Sequence, residues 1–373
     1  NSDVEYRNKQ ITLVGDVNLI LCDGKTMTSN GGSASAIMGG NSLTIYGQTA
    51  GTGKLEAMCG TGCGISSNAI TINGGTVYAH GSFYAIYADG NITINGGNVN
   101  ATGSTTIINA IYASGDITIN GGNVSAYGDQ KGIEAGGDII LGWTNNTDRI
   151  YASSFSAGGT ISIANGKAFT DDTNVYTSAT PSATLEALTD VTLIPKKDIS
   201  TCSATVPNQT QKYTHDEYEI NRDLIWYKFD DANNYADVAS QTGVVVKDGN
   251  TPLTLGTDYR FQSVRYDDGT AEGLFGDPEK VGDKCLLVIE GMGNYAGKLY
   301  APFRIIVSDD NGTWGNLRWV YSDGTLTISK KDGVEGNVAM PDGEDYDNFD
   351  WNGVASGVFT LNIDGGIINV GNY

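Results

Sequence analysis

The side chains that usually perform acid-base or nucleophilic chemistry are scarce in this sequence. There are two histidines, His80 and His215, and neither lies beside a serine or cysteine in a nucleophile motif. A Ser-His-Asp or Cys-His arrangement needs a nucleophile, a base and a third group that orients the base. His80 follows Ala79 in a strand-like stretch and is expected to be a solvated, outward residue. The sequence therefore predicts no catalytic residues.

The five cysteines are an odd set that matches no zinc-binding spacing. Cys59 and Cys63, in the stretch MCGTGC, either form a small disulfide across a glycine turn or fill a corner of the fold. A zinc site made of Cys59, Cys63 and His80 is a further alternative, but no fourth ligand is evident. We therefore predict no metal site from these residues.

Acidic residues outnumber basic ones by 43 to 22, which gives a formal net charge of −21. This balance disfavours nucleic acid and anionic membranes as partners, because few cations are present to neutralise phosphates. Calcium remains open as a ligand at Asp309-Asp310 and in the acidic stretch MPDGEDYDNFD at residues 340–350, although neither has the ligand pattern of an EF-hand loop. No other cofactor is predicted.

Cleavage of an acidic polysaccharide would need cations that bind the substrate and convergent carboxylates that act on it. Residues 1–195 contain seven lysines and arginines against fifteen aspartates and glutamates, a net charge of −8. A polyanionic substrate would be repelled by this region. A polysaccharide-degrading enzyme is therefore the least favoured alternative.

Four tyrosines are the candidate ligand-binding residues. Tyr87 and Tyr112 occupy the same position of two AIYA stretches, and Tyr78 and Tyr127 are expected on a neighbouring outward face. A flat aromatic ring suits the apolar face of a neutral sugar, but tyrosines at this spacing also form ladders in which the rings cover one another. Glu134 takes the tyrosine position in the next repeat, where it orients a sugar hydroxyl, holds calcium or only solubilises the surface.

An internal repeat must position these residues. The phrase ITINGG begins at Ile70, Ile92 and Ile117, and degenerate copies begin at Leu19, Leu43, Ile139 and Ile161. Spacings of 22 to 27 residues are typical of stacked units, each too small to bury its own apolar face. Within each unit the apolar residues alternate with a period of two, which indicates strands.

Three short strands and three glycine-marked turns per unit predict a parallel β-helix, because each strand's nearest relative lies one unit away. Seven turns at about 4.8 Å each would make a rod of about 34 Å. We expect an inward isoleucine column, an outward threonine column and an asparagine corner; their members are Ile70, Ile92 and Ile117, then Thr71, Thr93 and Thr118, then Asn73, Asn95 and Asn120.

The repeat sequences ITINGG and GIEAGGDI resemble those of repeat-rich, carbohydrate-binding-like domains of gut bacterial surface proteins. They also resemble a calcium-dependent β-helix family that binds cellulose and pectin. After about residue 166 the repeat fades into a segment expected to cap the last coil. The phrases VKDG, GTDY and GMGNYAG then resemble small Ig-like β-sandwich modules of bacterial surface proteins over residues 198–308. Relative to that frame, residues 214–240 are an insertion.

From residue 309 the sequence resembles the N-terminal cap of BspA-like leucine-rich-repeat surface proteins, with a tryptophan-containing hairpin around DGTLTIS. Phe359, Leu361 and Ile363 are expected to point inward on a strand whose far edge is open. The sequence stops at Tyr373, within the stretch that resembles the first leucine-rich repeat. Two alternatives remain: a vestigial cap, or a cap that is followed by further repeats. The start at Asn1 without a methionine suggests a processed chain with its signal peptide removed.

The predicted fold class is therefore all-β: a right-handed parallel β-helix with its cap segment (1–197), an Ig-like β-sandwich (198–308) and a small β cap of leucine-rich-repeat type (309–373). The modular order and the resemblances imply a non-catalytic adhesin or structural protein, secreted and held at the bacterial cell surface. Its partner would be a host or bacterial surface glycan or protein, and no segment is apolar enough to span a membrane. The alternative is a carbohydrate-binding module for a neutral polysaccharide.

Overall fold

The structure is a computed structural model that describes residues 2–103, 109–211, 229, 235–267, 284–307, 310–314, 316–322, 325–339, 360–365 and 367–369. It is nearly all β, with about 5% helix, as the sequence predicts. The chain forms two compact units. Unit 1 comprises Asn1–Ile199 with Asn294–Gly297, and unit 2 comprises Ser200–Gly293 with Lys298–Tyr373.

Unit 1 is built from short strands that recur three to a coil. Strands β1 to β20 run, in chain order, as Val4–Arg7, Ile11–Leu13, Asp16–Leu21, Thr26–Asn30, Ile37–Gly39, Ser42–Gly47, Lys54–Met58, Ile65–Ser67, Ala69–Ile72, Thr76–Gly81, Tyr84–Ala88, Ile92–Ile94, Asn98–Gly103, Asn109–Ala113, Ile117–Ile119, Asn123–Tyr127, Lys131–Ala135, Ile139–Leu141, Arg149–Ala157 and Ile161–Ile163.

Every third strand pairs in parallel with its relative in the next coil, which produces three faces. Face A contains β1, β4, β7, β10, β13, β16 and the first part of β19. Face B contains β2, β5, β8, β11, β14, β17 and the second part of β19. Face C contains β3, β6, β9, β12, β15, β18 and β20. The result is a parallel β-solenoid of about six turns.

The predicted columns on face C are confirmed. Ile70, Ile92 and Ile117 pair in register and are at most 1% exposed, whereas the threonines that follow each of them face outward and are half-buried. The turn count is lower than predicted, because the seven strands of face C are separated by six steps, or about 29 Å at about 4.8 Å each.

The register predicted for the first coil is wrong by two residues. Val17 pairs with Leu43, whereas the predicted anchor Leu19 pairs with Ile45. Both residues of β3 lie on the same side of the strand, because side chains two positions apart in a strand share a face. The apolar pattern alone therefore could not separate the two registers.

The NGG corner between faces C and A explains why the repeated phrase is retained. The amide of Asn95 donates to Asn73 Oδ1 at 2.8 Å, and the amide of Asn120 donates to Asn95 Oδ1 at 2.8 Å, so the predicted ladder is confirmed. The second glycine is the one that the corner requires. Gly97 has a φ of +88°, and a Cβ there would lie 2.5 Å from the carbonyl oxygen of Gly75.

The segment after the last coil caps the solenoid, as the sequence predicts. It contains β21 (Lys167–Thr170), β22 (Val175–Thr177), helix α1 (Ser182–Glu186) and β23 (Thr189–Asp198). β23 pairs antiparallel with β19 and so ends the parallel stacking of face A. Phe169, Leu185 and Leu193 are fully buried and join the solenoid core. β30 (Tyr295–Ala296) pairs in parallel with the end of β23.

Unit 2 contains small sheets. Its elements in chain order are β24 (Ser203–Thr205), β25 (Gln209–Gln211), helix α2 (Tyr235–Thr242), β26 (Val245–Asp248), β27 (Thr251–Pro252), β28 (Tyr259–Tyr266), β29 (Lys284–Gly291), β31 (Lys298–Val307), β32 (Asp310–Trp314), β33 (Leu317–Ser322), β34 (Thr325–Lys330), β35 (Val338–Ala339), β36 (Thr360–Ile363) and β37 (Ile367–Asn369). A short 3-10 turn, Ile199–Thr201, precedes them.

The hairpins predicted in unit 2 are present. β26 and β27 pair antiparallel about an Asp-Gly turn, β29 pairs antiparallel with β31, and β33 pairs antiparallel with β34. Helix α2 was not predicted, since it lies in the stretch treated as an insertion. Phe229, from the same stretch, is fully buried and packs against Phe261 and Phe303 at ring distances of 5.6 and 5.5 Å. The stretch therefore contributes to the core of this unit.

The prediction that Leu361 and Ile363 point inward is wrong, because they are 53% and 41% exposed. β36 pairs in parallel with β34 at the edge of a four-stranded sheet, so their partners are Leu326 and Ile328, which are buried. Alternation specifies a common side of the sheet but not whether a second layer covers it. Phe359 lies outside the described residues.

Candidate functional site

Face B carries the two tyrosines that occupy the same repeat position. Tyr87 pairs with Tyr112 across β11 and β14, and their rings stack with centroids 5.8 Å apart and planes 8° apart. Tyr84 packs against both rings at 5.1 Å. We call these three residues the tyrosine cluster. Because each ring covers another, little of the flat ring surface is left for a ligand.

The polar atoms around the tyrosine cluster are also engaged. The hydroxyl of Tyr87 donates to Asp89 Oδ1 at 2.6 Å, and this hydrogen bond raises the pKa of Tyr87. Burial, followed by the charge of nearby groups, raises the pKa of Tyr84. Glu134 lies next to Tyr112 in the following coil, as predicted, but its carboxylate accepts a hydrogen bond from Asn109. This arrangement favours the ladder alternative for face B.

Face A has a different arrangement at its outward positions. Tyr78, Asn100, Ser125 and Tyr151 occupy one column across four successive strands, from β10 to β19. A second column beside it contains Thr76, Asn98, Asn123 and Arg149. The two columns line a shallow groove of about 230 Å³, which we call the face A groove.

The middle of the groove presents amides and a hydroxyl. Asn123 Nδ2 donates to Asn98 Oδ1 at 3.1 Å, which leaves Asn98 Nδ2 and Asn123 Oδ1 toward solvent. Within the described part of the chain, the side chains of Asn100 and Ser125 make no hydrogen bond to another residue. Amides and hydroxyls both donate and accept, as sugar hydroxyls do. The groove floor is therefore chemically suited to a neutral polyhydroxyl ligand.

Tyr78 closes one end of the groove. Its side chain is 42% exposed, and the ammonium of Lys54 lies 4.4 Å from the ring centroid. Lys54 is held there by an ion pair with Glu56, whose carboxylate is 2.5 Å from the ammonium. The hydrogen bond from Lys54, together with a hydrogen bond from Thr28 and the charge of Lys54, lowers the pKa of Glu56 and outweighs the opposing effect of desolvation. Tyr78 thus contacts the cation of Lys54 and also lines the groove.

Tyr151 and Arg149 close the other end. The hydroxyl of Tyr151 donates to Asp190 Oδ1 at 3.3 Å, and burial together with that carboxylate raises the pKa of Tyr151. Arg149 Nη1 donates to the carbonyl oxygens of Asn146 at 2.9 Å and Asp148 at 2.6 Å. The guanidinium is therefore anchored to the backbone rather than to a carboxylate.

The predicted site residues are divided between these regions. Tyr78 lines the groove, whereas Tyr127 lies one column away on face A, in register with Thr102 and His80, and is 47% exposed. His80 Nδ1 lies 3.2 Å from Thr102 Oγ1. The other predicted residues, Tyr87, Tyr112 and Glu134, belong to face B.

Sequence reasoning missed Tyr151 and its column, although a signal was present. The stretches TVYA, NVNA, NVSA and RIYA at residues 76–79, 98–101, 123–126 and 149–152 share one pattern, with apolar second and fourth residues. Their third residues are the groove column. The last copy is less evident in the sequence, because Arg149 stands where the other copies have threonine or asparagine.

Among the described residues, no group of three His, Cys, Asp or Glu side chains could hold a metal ion. Cys59 and Cys63 form no disulfide; the Cys59 thiol is buried and lies 2.8 Å from the carbonyl oxygen of Ala34, so it fills the corner. Asp309 and the acidic stretch at 340–350 lie outside the described residues, so calcium stays an open alternative there.

Comparisons with protein-family models, with curated proteins and with solved structures give no match. Among the described residues, no helix has the length and apolar character needed to cross a membrane.

Proposed function

We propose that this chain is a non-catalytic, secreted protein of a bacterial cell surface, and that its solenoid binds a neutral polysaccharide in the face A groove. The observation that carries the proposal is the groove itself. Tyr78 and Tyr151 stand at its two ends, with the amides of Asn98, Asn100 and Asn123 between them. Aromatic rings that stack on pyranose faces, with amides that bind hydroxyls, are the usual means of holding a neutral sugar.

Electrostatics favour a neutral rather than an acidic glycan. Beyond Tyr78 the carboxylate of Glu56 pairs with Lys54, and at the other end Asp190 accepts the Tyr151 hydroxyl, so each end of the groove has a carboxylate that is already engaged. Among the described residues that line the groove, Arg149 is the one cation. A uronic acid polymer would meet the net charge of −8 carried by residues 1–195, and its repeated carboxylates would lack partners.

The lining residues also favour retention of a glycan over its cleavage. Glycoside hydrolysis requires a pair of carboxyl groups on the two sides of the scissile bond. None of the described residues that line the groove is an aspartate, a glutamate or a histidine. We therefore propose a binding role, in which adhesion results from holding a surface glycan.

The second unit fits a supporting role in the same proposal. We propose that residues 198–308 are an Ig-like spacer and residues 309–373 a cap of leucine-rich-repeat type. The antiparallel pairs β26 with β27, β29 with β31, and β33 with β34 support this proposal. Fractionation of the native host tests the location, because a cytoplasmic protein would contradict a surface adhesin.

The binding proposal is tested by titrating the intact chain with neutral polysaccharides, using a double variant of the groove and a matched double variant of face B. Tyr78→Ala with Tyr151→Ala should abolish saturable binding and leave the strand signal in circular dichroism unchanged. Tyr87→Ala with Tyr112→Ala removes the same number of rings and should bind normally at a temperature where it is folded.

Two outcomes would contradict the proposal. If the native chain shows no saturable binding to any neutral glycan at millimolar concentration, the solenoid is a structural spacer, which is the second candidate function. The asparagine ladder, whose amides bond to one another, and the closed tyrosine cluster favour that candidate. If the face B variant loses binding and the groove variant retains it, the site lies on face B.

A further inference from the structure

The face A groove has the period of the solenoid. Tyr78, Asn100, Ser125 and Tyr151 pair directly from strand to strand without a register shift. Because paired strands lie about 4.8 Å apart, neighbouring positions of the column are separated by that distance and its ends by about 14 Å. The groove therefore presents one contact position per coil, along the direction in which the coils stack.

The groove is also bounded at both ends. Before Tyr78 the column continues with Glu56, which is held by the ion pair with Lys54 and by a hydrogen bond from Thr28. After Tyr151 the coil repeat ends, because β23 runs antiparallel to β19 and places Thr192 of the cap opposite Tyr151. The column thus has four positions that follow the coil repeat.

We infer that the ligand is a linear glycan of equatorially linked neutral pyranoses, which lies across the strands with one sugar unit per coil and four units in the groove. This inference rests on the proposed function and specifies its ligand. A linear ligand places one unit over each coil only when its unit length matches the coil spacing. Equatorial linkages give an extended ribbon whose unit length is close to the coil spacing, whereas axial linkages give a coiled chain that would leave the column.

Each column position then has a distinct role. Tyr78 and Tyr151 stack on the first and fourth units, and Asn100 and Ser125 bind hydroxyls of the second and third. Asn98 and Asn123 form the adjacent wall, and their hydrogen bond to each other fixes which amide atoms face the ligand. In an extended ribbon, hydroxyls project along both edges, so one edge can follow this wall from coil to coil.

A coil duplication tests the register. A second copy of residues 98–122 inserted after residue 122 adds one position to the middle of the groove and keeps both tyrosine ends. Solenoids tolerate such insertions because each repeat contacts only its neighbours. The matched control is a second copy of residues 26–53 inserted after residue 53, which adds a coil outside the groove. Circular dichroism and thermal melting establish that both variants are folded.

The measurement is the Kd of a series of oligosaccharides of increasing length from one equatorially linked neutral glycan. For the native chain and for the control insertion, affinity should rise several-fold per added unit up to four units and then change by less than about twofold. For the groove insertion the plateau should move to five units. A plateau that stays at four in the groove insertion, or an axially linked series that binds equally well, would overturn the inference.

A substitution provides a second test if the groove insertion does not fold. Tyr151→Ala removes the fourth contact, so the three-unit oligosaccharide should bind this variant as tightly as the four-unit one. A variant that still distinguishes three units from four would contradict one unit per coil. If no oligosaccharide of any linkage binds the native chain, the proposed function fails as a whole, which is distinguishable from a wrong register.

Discussion

Faces A and B of the solenoid carry the same aromatic residue on the same scaffold, yet they present different surfaces. On face B, Tyr87 and Tyr112 lie in successive coils and stack at 5.8 Å. On face A, Tyr78 and Tyr151 lie three coils apart, with Asn100 and Ser125 between them. Aromatic residues in successive coils close a surface, whereas the same residues separated by small polar ones open a groove.

The physical reason is the thickness of an aromatic ring. Carbon atoms in contact lie about 3.5 to 4.0 Å apart, so rings on strands about 4.8 Å apart leave no room for a third ring between them. Three coil steps leave about 14 Å, which accommodates sugar units on the floor between the two tyrosines. The difference between a stabilising cluster and a binding groove therefore depends on which coils carry the tyrosines.

The largest effect is expected from the core that both faces share. Ile111 is fully buried beneath face B, between Ile86 and Ile133 of the neighbouring coils. Ile111→Ala should lower the free energy of unfolding by about 2–5 kcal/mol, because it removes buried methyl groups and leaves a cavity. Denaturant unfolding measures this loss. The glycan affinity of the folded variant should not change. A loss of affinity that accompanies the loss of stability would mean that the two faces are not independent.

The corner that leads into face A should give the next largest effect. Gly97→Ala forces a side chain into a left-handed backbone position and within 2.5 Å of the Gly75 carbonyl oxygen, so a loss of at least about 2 kcal/mol is expected. Gly96→Ala is the matched control, because its Cβ would have no contact closer than 3.4 Å. Thermal melting of both variants measures the difference, and equal losses would contradict the role assigned to the second glycine.

Single tyrosine substitutions compare the two faces directly. Tyr87→Ala removes two ring contacts of the cluster and should cost about 1–3 kcal/mol, since aromatic pairs contribute about 0.5–1.5 kcal/mol each. Tyr78→Ala removes a half-exposed ring that contacts Lys54, and this cation–π contact contributes about 0.5–1 kcal/mol. Urea unfolding distinguishes them. A larger loss for Tyr78→Ala would mean that face A is the packed surface.

The smallest effect concerns pH and the cap that ends the groove. In the cap, the Tyr176 hydroxyl donates to Asp171 at 2.7 Å, and this bond holds the pKa of Asp171 well below its ordinary value. A depressed carboxyl pKa stabilises the fold above the unfolded value of about 3.9, and the stabilisation is lost as the pH falls further.

Asp171→Asn should therefore make stability less dependent on pH below about 4, while its effect at pH 7 remains small because solvent screens this partly buried carboxylate. The change is measured from the melting temperatures of the native chain and the variant between about pH 2.5 and about pH 7. This range extends from about one and a half pH units below the unfolded pKa to about three units above it. Parallel pH profiles of the two proteins would contradict this assignment.

The sequence by itself determined the repeated elements of the solenoid. The strands, the inward column of Ile70, Ile92 and Ile117, and the asparagine ladder all follow from alternation and from a repeated phrase. These features are local or recur once per coil, so they can be counted along the chain. The position of Glu134 opposite Tyr112 followed from the same counting.

Only the tertiary structure decided which residues form the candidate site. Tyr78 and Tyr151 are far apart in sequence but line the same groove. Because the coils differ in length, this placement can be assigned only when the register of every intervening coil is known. The hydrogen bond that engages Glu134 and the burial of Phe229 likewise depend on what packs nearby. Periodicity specifies the direction of a side chain, but its neighbours depend on the packing of the whole unit.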